Sequence, residues 1–301
     1  MLPFVHHNDY VCPLPEGHRF PMPKFNMIRE ILAADGVRGE FVTPTPATVD
    51  QLLAAHTPAY VEAVLTCTLD PTHIRKIGLP LSPALVQRTR LEVGGTLLAA
   101  RLALDHQQSA GLATTLAGGT HHAAADQGSG FCIFNDLAVA AALLLREQLV
   151  RRVLIVDLDV HQGDGTALIF QDDPRVFTFS MHGQANFPLH KQRSSLDVPL
   201  DTGLTDEPYL ALLRHHLPAI LHRFDPDLVL YDAGVDVHEM DRLGKLKLTT
   251  AGLIARDRYV LQTCLENEIP TACVIGGGYS FDLAELSQRH AIVHRVAAEL
   301  V

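Results

Sequence analysis

Residues 153–165 read Val-Leu-Ile-Val-Asp-Leu-Asp-Val-His-Gln-Gly-Asp-Gly. Four apolar residues run straight into Asp157, Asp159, His161 and Asp164. An apolar, β-branched run of this length suits a strand covered on both faces, as in a parallel sheet. Alternation along that strand projects Asp157, Asp159 and His161 to one side. Unpaired charges at the end of a buried strand cost on the order of several kcal/mol each. A metal ion, or a chain of charge-assisted hydrogen bonds, is the simplest way to hold them. Carboxylate and imidazole both ligate metals. The bland alternative, acids at a strand end facing water, fits a single Asp better than it fits Asp-x-Asp-x-His. Gly163 and Gly165 then mark a tight turn at the carboxyl end of the strand, where ligands sit in open parallel sheets.

Outward from this stretch, strands alternate with helices. Further strands are expected at 111–117, 175–180, 227–231 and 271–275. Helices are expected at 26–35, 49–55, 58–66, 82–106, 136–149, 165–170, 206–222, 249–265 and 282–299, with Thr48 and Thr57 as N-caps. Residues 1–25 carry prolines at 13, 15, 21 and 23 and read as an irregular surface wrap, with His18 and Arg19 as rim candidates. The alternation predicts an α/β fold, a mostly parallel central sheet with helices on both faces. No repeat or composition break divides it, so residues 1–301 are read as one domain. Polar clusters at 119–122, 157–164, 180–182 and 232–236 each follow an expected strand, as does Gly276-Gly277-Gly278-Tyr279. All should gather at one sheet edge.

The formal charge is −10, which argues against direct nucleic-acid binding through clustered Lys and Arg. Five scattered cysteines form no CxxC pair and fit a reducing compartment. No apolar run approaches the roughly 20 residues that span a bilayer, and no signal pattern opens the chain. A cytoplasmic protein without membrane attachment is expected.

The polar clusters have the makings of a metal hydrolase. Asp159 and His161 supply two ligands. Asp236 is the best candidate for a third, with Asp232 competing. Two carboxylates and one imidazole leave a position open for water, as catalytic zinc sites do. One histidine of the His121-His122 pair can take a proton from that water and pass it to a leaving amine. Asp157 and Asp164 can orient such histidines. Tyr279, presented by the glycine run, can donate a hydrogen bond to an oxyanion.

These pieces resemble the zinc-dependent histone deacetylase family, which has the arginase-like fold. The matching motifs are Gly-Gly-Thr-His121-His122-Ala, Gly130-Phe131-Cys132-Ile133-Phe134-Asn135-Asp136, Asp157-Leu-Asp159-Val-His161-Gln-Gly-Asp164-Gly, Ala233-Gly-Val-Asp236 with Asp241-Arg-Leu243-Gly244, and Gly-Gly-Gly278-Tyr279. They occur in family order across roughly residues 20–295. His18-Arg-Phe-Pro-Met-Pro-Lys24 and 77–84 look most like its small bacterial and class IV branch. The resemblance implies that Asp159, His161 and Asp236 hold zinc or iron(II). It implies His122 as general base and acid paired with Asp164, His121 paired with Asp157, and Tyr279 on the acyl carbonyl. Phe131, Phe187 and Leu243 match the walls of the acyl-lysine channel. Asp157, Asp159, His161, Ser180 and Met181 match a potassium site, partly through backbone carbonyls. For the rim aspartate that grips substrate backbone in class I members, the candidate is Asp70.

The expected activity is hydrolysis of N-acyl-lysine in protein or peptide. The principal rival is an acetylpolyamine amidohydrolase acting on a small acylated amine. Less expected are a dinuclear arginase-type manganese enzyme and a catalytically dead acyl-lysine binding protein.

Overall fold

The computed structural model describes residues 1–301. Eight strands form a sheet in which every pairing is parallel: β1 (Pro3–Val5), β2 (Glu40–Val42), β3 (Leu112–Thr115), β4 (Val153–Asp157), β5 (Val176–Gly183), β6 (Leu196–Leu200), β7 (Leu228–Asp232) and β8 (Thr271–Val274). Their spatial order is β2-β1-β3-β8-β7-β4-β5-β6. Every residue of β3, β4, β7 and β8 is buried, as an all-parallel sheet covered on both faces requires.

Ten helices surround the sheet: α1 (Lys24–Ala34), α2 (Val49–Leu52), α3 (Pro58–Leu65), α4 (Pro71–Ile77), α5 (Pro83–Leu104), α6 (Asp136–Arg146), α7 (Asp164–Phe170), α8 (Asp206–Phe224), α9 (Thr250–Glu266) and α10 (Leu283–Leu300). One contiguous layer runs α1–α10–α9–α8 and another α3–α5–α6–α7, each packed on the sheet. The Ser82 hydroxyl caps α5 by accepting from the Leu85 N–H, and Pro83 fills its first turn. Thr48 and Gln51 form a reciprocal capping box on α2. Thr57 stands at the α3 N-cap without a side-chain bond. One contiguous hydrophobic core joins all of this.

Several expectations are corrected. Residues 3–5 are not a surface wrap but a strand inserted between β2 and β3, with Phe4 and Val5 wholly buried. The strands β2 and β6 and the helix α4 were not foreseen. β5 runs on to Gly183, so Ser180, Met181 and His182 lie inside a strand rather than beyond it. β4 ends at Asp157, so Asp159 and His161 belong to the loop beyond and do not continue the strand's alternation.

Candidate active site

The strands β3, β8, β7 and β4 are consecutive in the middle of the sheet. Being parallel, they deliver four loops to one edge: Gly118–His122, Gly276–Tyr279, Asp232–Asp236 and Asp157–Asp164. Residues far apart in the chain therefore meet at the carboxyl ends of the strands.

Two buried groups of metal-ligating side chains form there. Asp159, His161 and Asp236 make one, and His121, Asp157 and Asp232 the other. In the first, His161 Nδ1 lies 3.0 Å from Asp159 Oδ1 and 3.0 Å from Asp236 Oδ2. Asp159 Oδ2 accepts from the Gly277 N–H at 2.6 Å, and Asp236 Oδ1 from the Val160 N–H at 2.8 Å. Asp236 Oδ2 is fully buried without an aligned hydrogen bond, since the His161 Nδ1 beside it bonds to Asp159 Oδ1. A Cβ at Gly277 would collide with the carboxylates of both acids. This donor set, with an orphaned oxygen and a glycine-lined approach, fits a divalent cation.

The electrostatics agree. Burial opposes a charge on His161, but the adjoining carboxylates of Asp159 and Asp236 outweigh it and lift its pKa to about 10. Burial, then the Asp159 charge, raises Asp236 to about 7. The group thus retains a proton in a place where a cation can replace it.

The tandem histidines are oriented by separate acids. His121 Nδ1 lies 2.8 Å from Asp157 Oδ2, and His122 Nδ1 lies 2.6 Å from Asp164 Oδ1. Ionised carboxylates only accept, so each Nδ1 carries the hydrogen. Burial opposes the charge on His121, yet Asp157, Asp159 and Asp232 hold its pKa well above the ordinary range. His122 goes the other way: burial and then the neighbouring His121 charge push it down to about 4. It is neutral at pH 7 with its Nε2 lone pair free, the state a proton acceptor needs. Burial, then Asp236 and Asp159, raise the Tyr279 hydroxyl well above its usual range, so it remains a donor.

Ring positions tie these groups together. His161 lies 5.8 Å from His122 and 6.4 Å from Tyr279, centre to centre. Phe187 stands edge-on to His122 at 4.9 Å, and Phe131 lies 5.8 Å from Tyr279. His122, Phe131, His161, Phe187, Leu243 and Tyr279 all line one open cleft of about 380 Å³. Behind it a small pocket of about 40 Å³ reaches Lys24, Arg88 and Glu92. Phe131 is held at φ 69°, a strained value for a side-chain-bearing residue. The last turn of α4 sustains it, since Phe131 N–H donates to the Ile77 carbonyl at 2.7 Å.

The other predicted residues divide between the cleft and its surroundings. Asp232 joins His121 and Asp157 rather than His161. Asp70 caps α4, accepting from the Thr72 N–H at 2.7 Å, and does not line the cleft. Ser180 pairs in register with Asp157 across β5 and β4, and its hydroxyl meets His182 Nδ1 at 3.0 Å. Arg19 lines the cleft, and His18 bonds to the Gly78 carbonyl at 3.0 Å.

Some supporting residues have no role assigned in the sequence reading, although Asn135 and Asp136 stand in one of its motifs. Asp136 accepts from the Gly119 and Thr120 backbones, fixing the loop before the histidines. Asn135 donates to the Ala123 carbonyl just after them at 3.0 Å. Arg256, wholly buried, donates to the carbonyls of Leu158, Ala233 and Gly234. It thereby clamps the two loops that carry the acids. Its only forewarning is an arginine on the inner face of an amphipathic helix.

A model of the histone deacetylase domain matches residues 18–294. An uncharacterized protein of Picosynechococcus sp. is 55% identical over 300 residues, which is 99% of each chain. Histone deacetylase 2 of Arabidopsis thaliana is 33% identical over 273 residues, 87% of this chain and 70% of its own length. The acetoin utilization protein AcuC of Bacillus subtilis is 33% identical across 75% of this chain and 62% of its own. In fold, the crystal structure of the HDA15 HD domain superposes with a TM-score of 0.81 at 24% identity, covering 98% of this chain and 90% of that one. No helix is long and apolar enough to cross a membrane. The chain belongs to the histone deacetylase family, deacetylase-type hydrolases on the arginase-like fold.

Proposed function

We propose that residues 1–301 act as one catalytic domain that hydrolyses the amide of N-acyl-lysine in protein or peptide. The observation that carries this is the convergence of Asp159, His161 and Asp236, with His161 Nδ1 at 3.0 Å from both carboxylates, beside His122 and Tyr279 in one cleft. These three residues would hold zinc or iron(II), which supplies Lewis acidity when bound. Asp164 keeps the His122 hydrogen on Nδ1, leaving Nε2 to take a proton from the attacking water. The same nitrogen then delivers that proton to the departing lysine amine. His121, held charged by Asp157, donates a hydrogen bond to the water from its other nitrogen. The Tyr279 hydroxyl donates to the acyl oxygen as negative charge develops on it. Phe131, Phe187 and Leu243 flank the lysine methylenes, for which apolar walls are suited. A potassium ion beside Asp157, Asp159, His161, Ser180 and Met181 belongs to the same reading, as does a cytoplasmic location, which five unpaired cysteines favour.

The test is release of free lysine amine from acetyl- and longer acyl-lysine peptides by metal-analysed protein. Activity should vanish with a chelator and return with metal. His122→Ala should lower kcat by about 10²–10⁴-fold with metal retained. Turnover that survives both treatments, or tight peptide binding by metal-loaded protein without turnover, overturns the reading.

A further inference from the structure

Resting on the amide-hydrolase reading above, we propose that the mouth of the cleft selects acylated lysines flanked by Asp and Glu in a polypeptide, and rejects acylated polyamines. The chain carries 34 acidic against 24 basic residues. A surface patch of ordinary composition is therefore rich in acids. The mouth reverses this balance: Arg19, Lys76 and Lys245 line it, and no Asp or Glu does.

All three cations are exposed, and their contacts are to neutral groups. The Arg19 guanidinium lies 4.9 Å from the centre of the Phe131 ring. Lys76 Nζ donates to Gln127 Oε1 at 3.1 Å, and Lys245 Nζ to the Ala185 carbonyl at 2.6 Å. These contacts fix where the charges point without neutralising them, and each ammonium keeps donors to spare. Two acids near these cations in the chain are engaged elsewhere. The Asp241 carboxylate accepts from the backbone N–H groups of Leu243, Gly244 and Tyr279, while Asp70 caps α4.

Cations arrayed round a cleft attract anionic segments and repel cationic ones, by steering and by contact. A polyamine acylated at one end brings its remaining ammonium groups against this ring of like charge. A lysine flanked by acids brings opposite charge to it. Leu189, 88% exposed, and Phe187, 42% exposed, add apolar surface at the same mouth. A polypeptide has backbone and side chains to lay on such a surface, and a diamine does not.

The experiment compares kcat/KM for two acetyl-lysine peptides of equal length, one flanked by Asp and Glu and one by Lys and Arg, and for N-acetylspermidine. Exposed ion pairs contribute a few-fold each, so the acidic peptide should lead the basic one by about tenfold at low salt. The lead should close at roughly 0.5 M salt, where screening is nearly complete. In the double variant Lys76→Glu with Lys245→Glu the order of the two peptides should invert. Fluorescence anisotropy of the same labelled peptides reads the ranking whether or not the amide is cut. Equal rates, a lead that ignores salt, or N-acetylspermidine outrunning both peptides overturns the proposal. Charge-ranked binding with no turnover sinks the hydrolase reading alone; turnover without ranking sinks the selectivity alone.

Discussion

Two His-Asp-Asp groups lie side by side at the sheet edge, identical in composition and both buried. They differ in how the atoms converge. In Asp159, His161 and Asp236 both carboxylates sit 3.0 Å from one imidazole nitrogen. In His121, Asp157 and Asp232 only Asp157 bonds to the ring, at 2.8 Å, and Asp232 stands off at 3.8 Å. Asp159 and His161 border the pockets, with Asp236 behind them; of the other group only His121 does, and Asp157 and Asp232 lie behind it. One group turns two of its three side chains toward the cleft; the other turns only its imidazole there, backed by an ion pair and a second acid in its field. On the proposed function, the same three residue types serve as a cation site or an electrostatic support according to which strand end presents them.

Metal stoichiometry tests this distinction most strongly. The protein should carry one divalent ion per chain by elemental analysis. Asp236→Ala should abolish that ion and lower kcat/KM by on the order of 10³-fold, the scale of losing Lewis-acid assistance. Asp232→Asn should keep the ion, because Asp232 is already driven toward its neutral form, by burial first and then by Asp157. Two ions per chain, or metal lost from Asp232→Asn, would erase the difference between the groups.

Arg256 ties together the two loops that carry both groups. Leu158 lies between Asp157 and Asp159, while Ala233 and Gly234 lie between Asp232 and Asp236. Its guanidinium takes the carbonyls of all three, and its charge is matched by Asp257. Arg256→Met leaves that carboxylate buried and uncompensated, a situation that costs about 3–5 kcal/mol. Urea unfolding should show a loss of this size. Metal affinity should fall roughly 10-fold or more as the loops relax. A variant with unchanged stability and metal affinity would mean that the loops hold themselves.

The contrast between β4 and β1 explains what was legible in the sequence. Val153–Asp157 is an apolar run ending in acids, and both its burial and its polar terminus are written locally. Pro3–Val5 is a three-residue strand in a segment crowded with proline and histidine, and only its neighbours β2 and β3 make it a strand. β6 hides for a related reason: it is an edge strand that tolerates Pro199 and faces solvent in part. In the site, the tandem histidines and the Asp-x-Asp-x-His run announce themselves through local spacing. Their supports do not. Arg256 stands 98 positions from the Leu158 carbonyl it binds, and Asp136 resembles any acid in a helix's first turn. Asp159 escapes the alternation because a period of two holds only while the strand lasts, and β4 ends at Asp157.

His121 and His161 are kept charged by acids, whereas His56 is kept neutral by burial, and acid separates these two kinds of histidine. His56 Nε2 accepts the Asn135 N–H at 2.9 Å, beside the cap of α6 that steadies the His121-His122 loop. Burial lowers its pKa from 6.5 to about 4. Between those values the unfolded chain binds a proton that the folded one refuses. Stability from this residue is therefore complete above pH 6.5 and declines as pH falls toward 4. The slope is at most about 1.4 kcal/mol per pH unit, or about 3 kcal/mol over the whole window. His294, lowered to about 3 by burial, adds a parallel decline. His56→Asn removes the titrating group and offers an amide oxygen in place of the ring nitrogen. Denaturant titrations at pH 7, 5.5 and 4.5 should show a shallower acid slope for His56→Asn than for the parent, with His294 accounting for part of what persists. Equal slopes in the two proteins would place the acid sensitivity at the other histidines that burial keeps neutral, such as His6, His182 and His294.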